Sequence, residues 1–412
     1  MTQADKRPGC GHDAPSIALA EALQRIRSTL EPMGGRQRVA LRDALGKVLA
    51  EPIIATAAVP AHNNSAMDGY ALRHADADCE SLHVVGSAFA GHPYTEQPLE
   101  RGQCVRIMTG GVVPAGADTV VMQERAQVEG DMVEITEWPQ AGENVRLAGE
   151  DLRAGDPILP AGRRVTAADL GLIASIGQAE VTVNRALRVA FFSTGDELRS
   201  LGQPLGPGDL YDSNRYTLYG MLSDLGVSLL DLGVVPDDPA ALKAALDEGA
   251  READVIISSG GVSVGEADYM VDLLQAGGEA HFWSVAMKPG RPLTFGRYGK
   301  AWYFGLPGNP VSVMATFAQV VTPALRWLAG ETDKPARRFW VRCQTPLRKR
   351  PGRQEFQRGR LIAQADGTLS VESVGKQGSG ILRSMSEADC FIVLPADSES
   401  VEAGAMVVVE PF

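Results

Sequence analysis

Four short stretches carry the side chains best suited to chemistry, and each sets acids, bases or hydroxyls among glycine and proline. STGDEL holds Glu197, VPDDP holds Asp237, SSGGVSVGEADYM holds Glu266 and Asp268, and MKPGRP holds Lys288 and Arg291. In the third, an apolar run at 255–257 empties into glycines and then a helix-like segment. Backbone N–H groups and a helix N-terminus facing solvent suit an anion, so Ser258, Gly260 and Gly261 are candidate cradle residues. Glu266 and Asp268 would repel that anion unless a divalent cation lay between them, which reads as phosphate plus Mg2+. Acids also favour helix N-termini, so a tight turn with a solvated acidic start accounts for the same letters.

Glu197, Asp237 and Asp268 each follow a predicted strand on the same edge of a sheet, and three acids there suggest Mg2+. Helix capping competes for Asp237, which stands before Pro239. Lys288 and Arg291 flank Pro289 and Gly290 and precede Pro292, so a rigid turn would hold two cations around an oxyanion. LPGNPVS ends a strand and starts a long helix, with Asn309 and Pro310 in capping and first-turn positions. NSAMDGYA and RIMTGGVVPAGAD place Asp68 and Thr109 in glycine-rich surroundings, where turn chemistry is the competing reading. The chain has no GxSxG elbow, Walker run or strict GxGxxG, which weakens hydrolase, ATPase and dinucleotide readings. Arg348, Lys349, Arg350 and Arg353 form a basic cluster that reads as a solvated loop.

These residues must be positioned by several domains, since 412 residues exceed one ordinary core. A composition 44% hydrophobic and 22% charged is that of a globular chain, and a net charge of −12 argues against nucleic acid as a ligand. Five scattered cysteines without a CxxC pair indicate neither a disulfide framework nor a zinc site, so the expected compartment is cytoplasmic. The first fifteen residues read as a flexible tail without an apolar signal core, and no run suggests a membrane span.

Leu19, Leu23, Ile26 and Leu30 predict an amphipathic helix, and a second short helix is expected over 42–50. Short β-like runs fill 82–137, after which Thr166 caps another helix ending at Gly177. Residues 187–330 alternate strands and helices, which calls for right-handed βαβ units and a parallel sheet. From 335 onward β-like runs return, as in a small barrel. The expected fold is therefore multidomain α/β: a doubly wound, mostly parallel domain (185–330), a discontinuous elongated linking domain (16–53 and 152–184), a β-rich insert (54–151) and a C-terminal β-barrel (331–412).

In order along the chain, NSAMDGYA, RIMTGGVVPAGADTVVMQE, NVRLAGED, STGDEL, SSGGVSVGEADY, MKPGRP, LPGNPVS, FQRG and GSG resemble the molybdopterin molybdenumtransferase family, the MoeA type related to the gephyrin E domain. The resemblance spans almost the whole chain. It implies a homodimeric transferase that takes adenylylated molybdopterin, releases AMP with the help of Mg2+, and inserts molybdate to give molybdenum cofactor. It also implies that Asp68, Thr109, Glu197, Asp237, Asp268 and Lys288 lie in the catalytic cleft, with Glu197, Asp237 and Asp268 holding the metal. Asp68 and Thr109 of one subunit would face the α/β domain of the other. Lys288, Arg291, Pro292, Arg358 and Ser379 resemble a molybdate pocket. Arg146 and Asp151 match a motif without an evident role. Relatives often carry Lys or Arg where this chain has Ser284, many carry Lys at Arg291, and Asp is common at Asn63. A non-catalytic molybdopterin carrier and a molybdopterin-adenylylating enzyme are the competing functions. The expected partners are a second copy, the adenylylating enzyme, and cofactor-accepting molybdoenzymes or their chaperones.

Overall fold

The first apolar stripe does form a helix, Leu19–Thr29, and it buries Leu19, Ala22 and Ile26. A computed structural model of the chain describes residues 16–261, 269–332 and 335–412. These divide into two units, one of residues up to 37 with 184–412 and one of residues 38–183. The first helix packs into the core of the former, beside Leu187, Val189 and Leu328. It therefore lies with the α/β strands and helices, whereas the partition by sequence put it in the linking domain.

The larger unit is built on a six-stranded sheet in the order Ser228–Val235, Arg188–Thr194, Val255–Ser259, Ala301–Leu306, Pro292–Tyr298, Gly278–Ser284. The first four strands are parallel, and the three inner ones are buried and apolar, as strands covered on both faces must be. Helices Ser213–Asp224 and Pro239–Glu252 follow two of them, capped by Asp212 and Asp238. The last two strands are antiparallel additions absent from the sequence reading. They carry the basic turn between them at Met287–Lys288, which runs parallel to the barrel strand Gln354–Ala363 with Lys288 opposite Glu355. That barrel strand pairs with both Leu369–Ser373 and Cys390–Leu394, and with Phe339–Cys343 and Met406–Pro411 they close a five-stranded barrel. The segment Pro310–Leu328 has the length and hydropathy of a membrane span, and 72% of its apolar window is buried, as in a core helix.

The smaller unit gathers segments on either side of its insert into one core: Ala44, Leu49 and Ile53 pack with Leu159, Ile173 and Val183. Helix Ala167–Ser175 starts on a reciprocal capping box of Thr166 and Asp169. The expected helix over 42–50 is instead a single 3-10 turn, Leu41–Ala44. Leu45 points outward at 56% exposure while Val48 and Leu49 are buried in short bridges to Arg164 and Val183, so the apolar residues serve extended chain. The insert is a six-stranded sheet that buries Tyr70 and Leu72 on one face and Ala71 on the other.

Candidate active site

Parallel strands deliver their loops to one edge, and ligands bind at that carboxyl edge in doubly wound sheets. Here strand Arg188–Thr194 ends on Thr194, whose hydroxyl donates to the Asp237 carboxylate. Asp196 Oδ1 accepts the Asp237 backbone N–H at 3.2 Å, so the loops after the first two strands are tied together. Helix capping, the competing reading for Asp237, falls on Asp238 instead, which accepts from the N–H groups of Ala240 and Ala241. Glu197 is exposed and folds over Gly195, where an added Cβ would lie 2.6 Å from Oε2. Gly260 has φ +96°, and a Cβ there would lie 2.3 Å from the Thr194 carbonyl oxygen, so only glycine fits this turn. Gly261 follows at φ +65°.

Ser258 lies elsewhere: it is fully buried and its hydroxyl pairs with Tyr303 at 2.5 Å, inside the sheet. Ser259, one residue on, turns to the other face. Its Oγ accepts from Asn214 Nδ2 at 2.9 Å, and the same amide donates to the Gly308 carbonyl at 2.7 Å. Asp268 and Glu266 lie outside the described residues, as does the rest of 262–268.

The basic turn is held from the barrel. Lys288 Nζ donates to Glu355 Oε1 at 3.2 Å, and the opposite carboxylate oxygen accepts from Gln357 at 3.1 Å. Glu355 is only 3% exposed, whereas the Lys288 side chain is 47% exposed. Arg291 Nε donates to Ser284 Oγ at 2.8 Å, and Ser284 Oγ lies 2.7 Å from Ser16 Oγ. Pro292 opens its strand opposite Ser284. Gly290, at φ +99°, seats the turn on the helix Pro310–Thr316, since a Cβ there would lie 2.3 Å from Thr316 Oγ1. Ser379 meets the same helix, its carbonyl accepting the Val311 N–H at 3.0 Å.

Arg358 is the largest fully buried side chain of the protein's described residues. It donates to Ser384 Oγ at 3.1 Å and to the Gly378 and Lys376 carbonyls at 3.1 and 3.5 Å. Among the described residues no carboxylate pairs with it, and burial pushes it down to about 10. A buried cation bonded only to neutral groups beside the Ser379 loop favours an arriving anion. Lys349 is also pulled down, first by burial; Glu355 opposes this and Lys288 adds to it.

Thr109 presents its backbone N–H and hydroxyl to Asp68 Oδ1, at 2.7 and 2.8 Å, in the smaller unit. Those two bonds hold the Asp68 carboxyl below its usual range. Arg146 is exposed in a two-residue strand, and the Asp151 N–H donates to the Val59 carbonyl. Thus Glu197, Asp237, Gly260, Gly261, Lys288, Arg291, Pro292, Arg358 and Ser379 lie on the larger unit, and Asp68 and Thr109 form their own pair on the smaller.

Mg2+ takes hard oxygen donors, one or two carboxylates with water and substrate phosphate completing the shell. Asp237 and Glu197, exposed on the carboxyl edge, fit that requirement. Among the described residues no group of three ligating side chains is assembled. Sequence reasoning missed Thr194, Asn214 and Glu355. The first ends a strand, the second is polar at a buried helical position, and the third follows a turn in a barrel strand.

A doubly wound sheet with glycine turns, exposed acids and a barrel-buttressed basic turn on its carboxyl edge defines a multidomain α/β protein with an edge whose chemistry suits an anion. Comparison with known proteins narrows this. Residues 17–177 match the family model described as MoeA N-terminal region (domain I and II), 190–327 that of a probable molybdopterin binding domain, and 341–412 that of MoeA C-terminal region (domain IV). The chain is 42% identical to molybdopterin molybdenumtransferase of Haemophilus influenzae over 96% of its own length and 98% of the relative's. It is 39% identical to the protein of that name from Nostoc sp., over 96% and 93%. The crystal structure of molybdopterin biosynthesis moeA protein from Pyrococcus horikoshii OT3 matches with a TM-score of 0.83 at 27% identity, covering 97% of this chain and 100% of that one. The chain belongs to the molybdopterin molybdenumtransferase family.

Proposed function

We propose that this chain is a molybdopterin molybdenumtransferase that takes adenylylated molybdopterin, releases AMP and inserts molybdate during molybdenum cofactor biosynthesis. The observation that carries the reading is the convergence on one helix, Pro310–Thr316, of the basic turn at Gly290 and the Ser379 loop, beside a buried arginine without an acid partner among the described residues. Cations and hydroxyl donors around one point are what a tetrahedral dianion requires. Lys288 and Arg291 would neutralise molybdate, with Arg358 adding positive potential from the barrel. The Gly260–Gly261 turn would let the backbone approach the phosphates.

Asp237 and Glu197, with Asp268, would hold Mg2+. When bound, that ion supplies charge stabilisation at the pyrophosphate bridge. Thr194 fixes the Asp237 carboxylate by donating to it. The active form would be a homodimer in which Asp68 and Thr109 of one copy complete the cleft of the other. Buried free thiols at Cys104, Cys343 and Cys390 accord with a cytoplasmic, reducing compartment. The partners would be the enzyme that adenylylates molybdopterin and the molybdoenzymes or chaperones that accept the product.

The test is a reaction of purified protein with adenylylated molybdopterin, molybdate and Mg2+, following AMP and the activation of an apo-molybdoenzyme. Mg2+-dependent AMP release with active cofactor is expected. ATP consumption with unmodified molybdopterin would mark an adenylylating enzyme, and tight molybdopterin binding without AMP would mark a carrier.

A further inference from the structure

Asn214 sits in the first turn of the helix Ser213–Asp224, 8% exposed, at a position no motif for phosphate, metal or oxyanion binding singles out. Both hydrogens of its amide are used, and each reaches a different loop. One goes to Ser259 Oγ, the last residue of its strand before Gly260, and the other to the Gly308 carbonyl, just before Asn309 and Pro310 start the long helix. Ser259 Oγ passes its own hydrogen to the Pro307 carbonyl at 3.4 Å, and the Gly260 N–H donates to the Leu306 carbonyl at 3.1 Å. The neighbouring cap residue extends the pattern. Asp212 accepts from Ser193 Oγ at 2.9 Å, one residue before Thr194. Three strand ends are thus fastened to two residues of one helix start, Asp212 and Asn214.

We propose that Asn214 is a positioning residue for the transferase reaction, fixing the spacing between the glycine turn at Gly260–Gly261 and the helix start at Asn309–Pro310. This rests on the functional reading above. A helical residue is the right carrier, because a side chain on a rigid element transmits less positional freedom than one on a loop. The amide is also the right group. Nδ2 alone can donate to two acceptors at once, whereas serine or threonine could serve only one. Its Oδ1 is buried without a partner among the described residues, so the side chain is held through its nitrogen, and what it holds is the loops. An acceptor left unpaired is unfavourable, which makes a purely stabilising role a poor explanation for an asparagine here.

The test compares Asn214→Ala, Ser259→Ala and the double variant with the wild type, in the full-length protein, by steady-state AMP release with adenylylated molybdopterin, Mg2+ and molybdate. Rates are corrected for folded fraction by circular dichroism. For Asn214→Ala we expect a roughly tenfold rise in KM for adenylylated molybdopterin, kcat changing less than about threefold, at the strength of about one or two hydrogen bonds. Ser259→Ala should give about a threefold rise, and the double variant less than the product of the two, since the residues share one bond. Should Asn214→Ala unfold, Asn214→Ser keeps one donor and should fall between wild type and Ser259→Ala in KM or match the latter. Wild-type KM in folded Asn214→Ala, or loss of rate tracking only the loss of folded protein, would overturn the proposal. Absence of AMP release by the wild type would instead count against the functional reading.

Discussion

Replacing Arg358 with methionine separates stability from function, because the arginine is a buried cation bonded only to neutral groups among the described residues. The residue is 1% exposed and burial lowers its guanidinium to about 10, a change from the ordinary arginine value equivalent to roughly 3 kcal/mol against the charged form. Three bonds to Ser384, Gly378 and Lys376 return a comparable amount, one of them long at 3.5 Å. Deleting charge and bonds together should therefore leave unfolding free energy within about 1 kcal/mol of wild type, as when buried ions yield to apolar residues of similar size. The functional loss should be larger. A charge-assisted contribution of about 1.5–3 kcal/mol corresponds to an affinity loss of roughly ten- to over a hundredfold. Molybdate at a hundred times its wild-type Kd should stabilise the native protein by about 3 kcal/mol, and Arg358→Met by under about 1.5. Denaturant unfolding with and without molybdate, and with sulfate as a control anion, reads both quantities. Arg358→Met unfolding several kcal/mol earlier, or keeping its full response to molybdate, would refute the reasoning.

The carboxyl edge and the strand starts give three further expectations. Gly260→Ala, forced to φ +96° with its Cβ 2.3 Å from the Thr194 carbonyl, should lose about 1–3 kcal/mol of stability and most AMP release; wild-type melting and rate would show the turn is not strained. Asp237→Asn keeps an acceptor for Thr194 while removing a charge, so the Mg2+ concentration for half-maximal AMP release should rise about tenfold with folding unchanged. Asp254 is opposed by burial but held below its usual pKa by the Arg185 fork at 2.9 and 3.0 Å and the Arg188 N–H, so its stabilisation is present above about pH 4 and disappears as pH falls through the lower folded value. Arg185→Met should move the acid-unfolding midpoint upward, and an unchanged midpoint would dismiss the pair as a source of acid stability.

Regular patterns made some of this legible. The spacing of Leu19, Leu23, Ile26 and Leu30 gives a helix because every third or fourth residue shares a face, and Thr166 with Asp169 announces a start by chemistry confined to four residues. The apolar strands at 188–194 and 255–259 stand out because both faces are covered. What the letters hide is partnership at long sequence separation. Gly278–Ser284 and Pro292–Tyr298 flank a turn rich in proline and glycine, which masks two strands that extend the sheet. The predicted helix at 42–50 fails because Val48 and Leu49 form bridges to Arg164 and Val183, more than a hundred residues away, and no local window contains those partners. At the site, Lys288 and Arg291 were readable as cations on a turn, but Glu355, sixty-seven residues on, was not readable as the anchor of Lys288. Ser258 illustrates the converse. It looked like part of a cradle, and strand alternation turns it into the core while Ser259 faces the loops.

The two antiparallel strands explain why a basic turn belongs at this edge at all. A parallel sheet presents only loops that follow its strands, and those loops start helices, whose N-termini attract anions but carry no formal charge. Adding a hairpin-like pair brings a turn between Ser284 and Pro292 to the same edge without a helix to feed, so cations can be placed there freely. Such a turn needs support from elsewhere. It receives it twice: from the long helix, through the close approach of Gly290 to Thr316, and from the barrel, through the pairing of Met287 and Lys288 with Gln354 and Glu355. The barrel then becomes part of the site's geometry, since the strand that anchors Lys288 at Glu355 also carries Arg358 three residues on. One strand thus sets the position of one cation directly and of another through its carboxylate, and a shift of that strand would move both relative to the glycine turn.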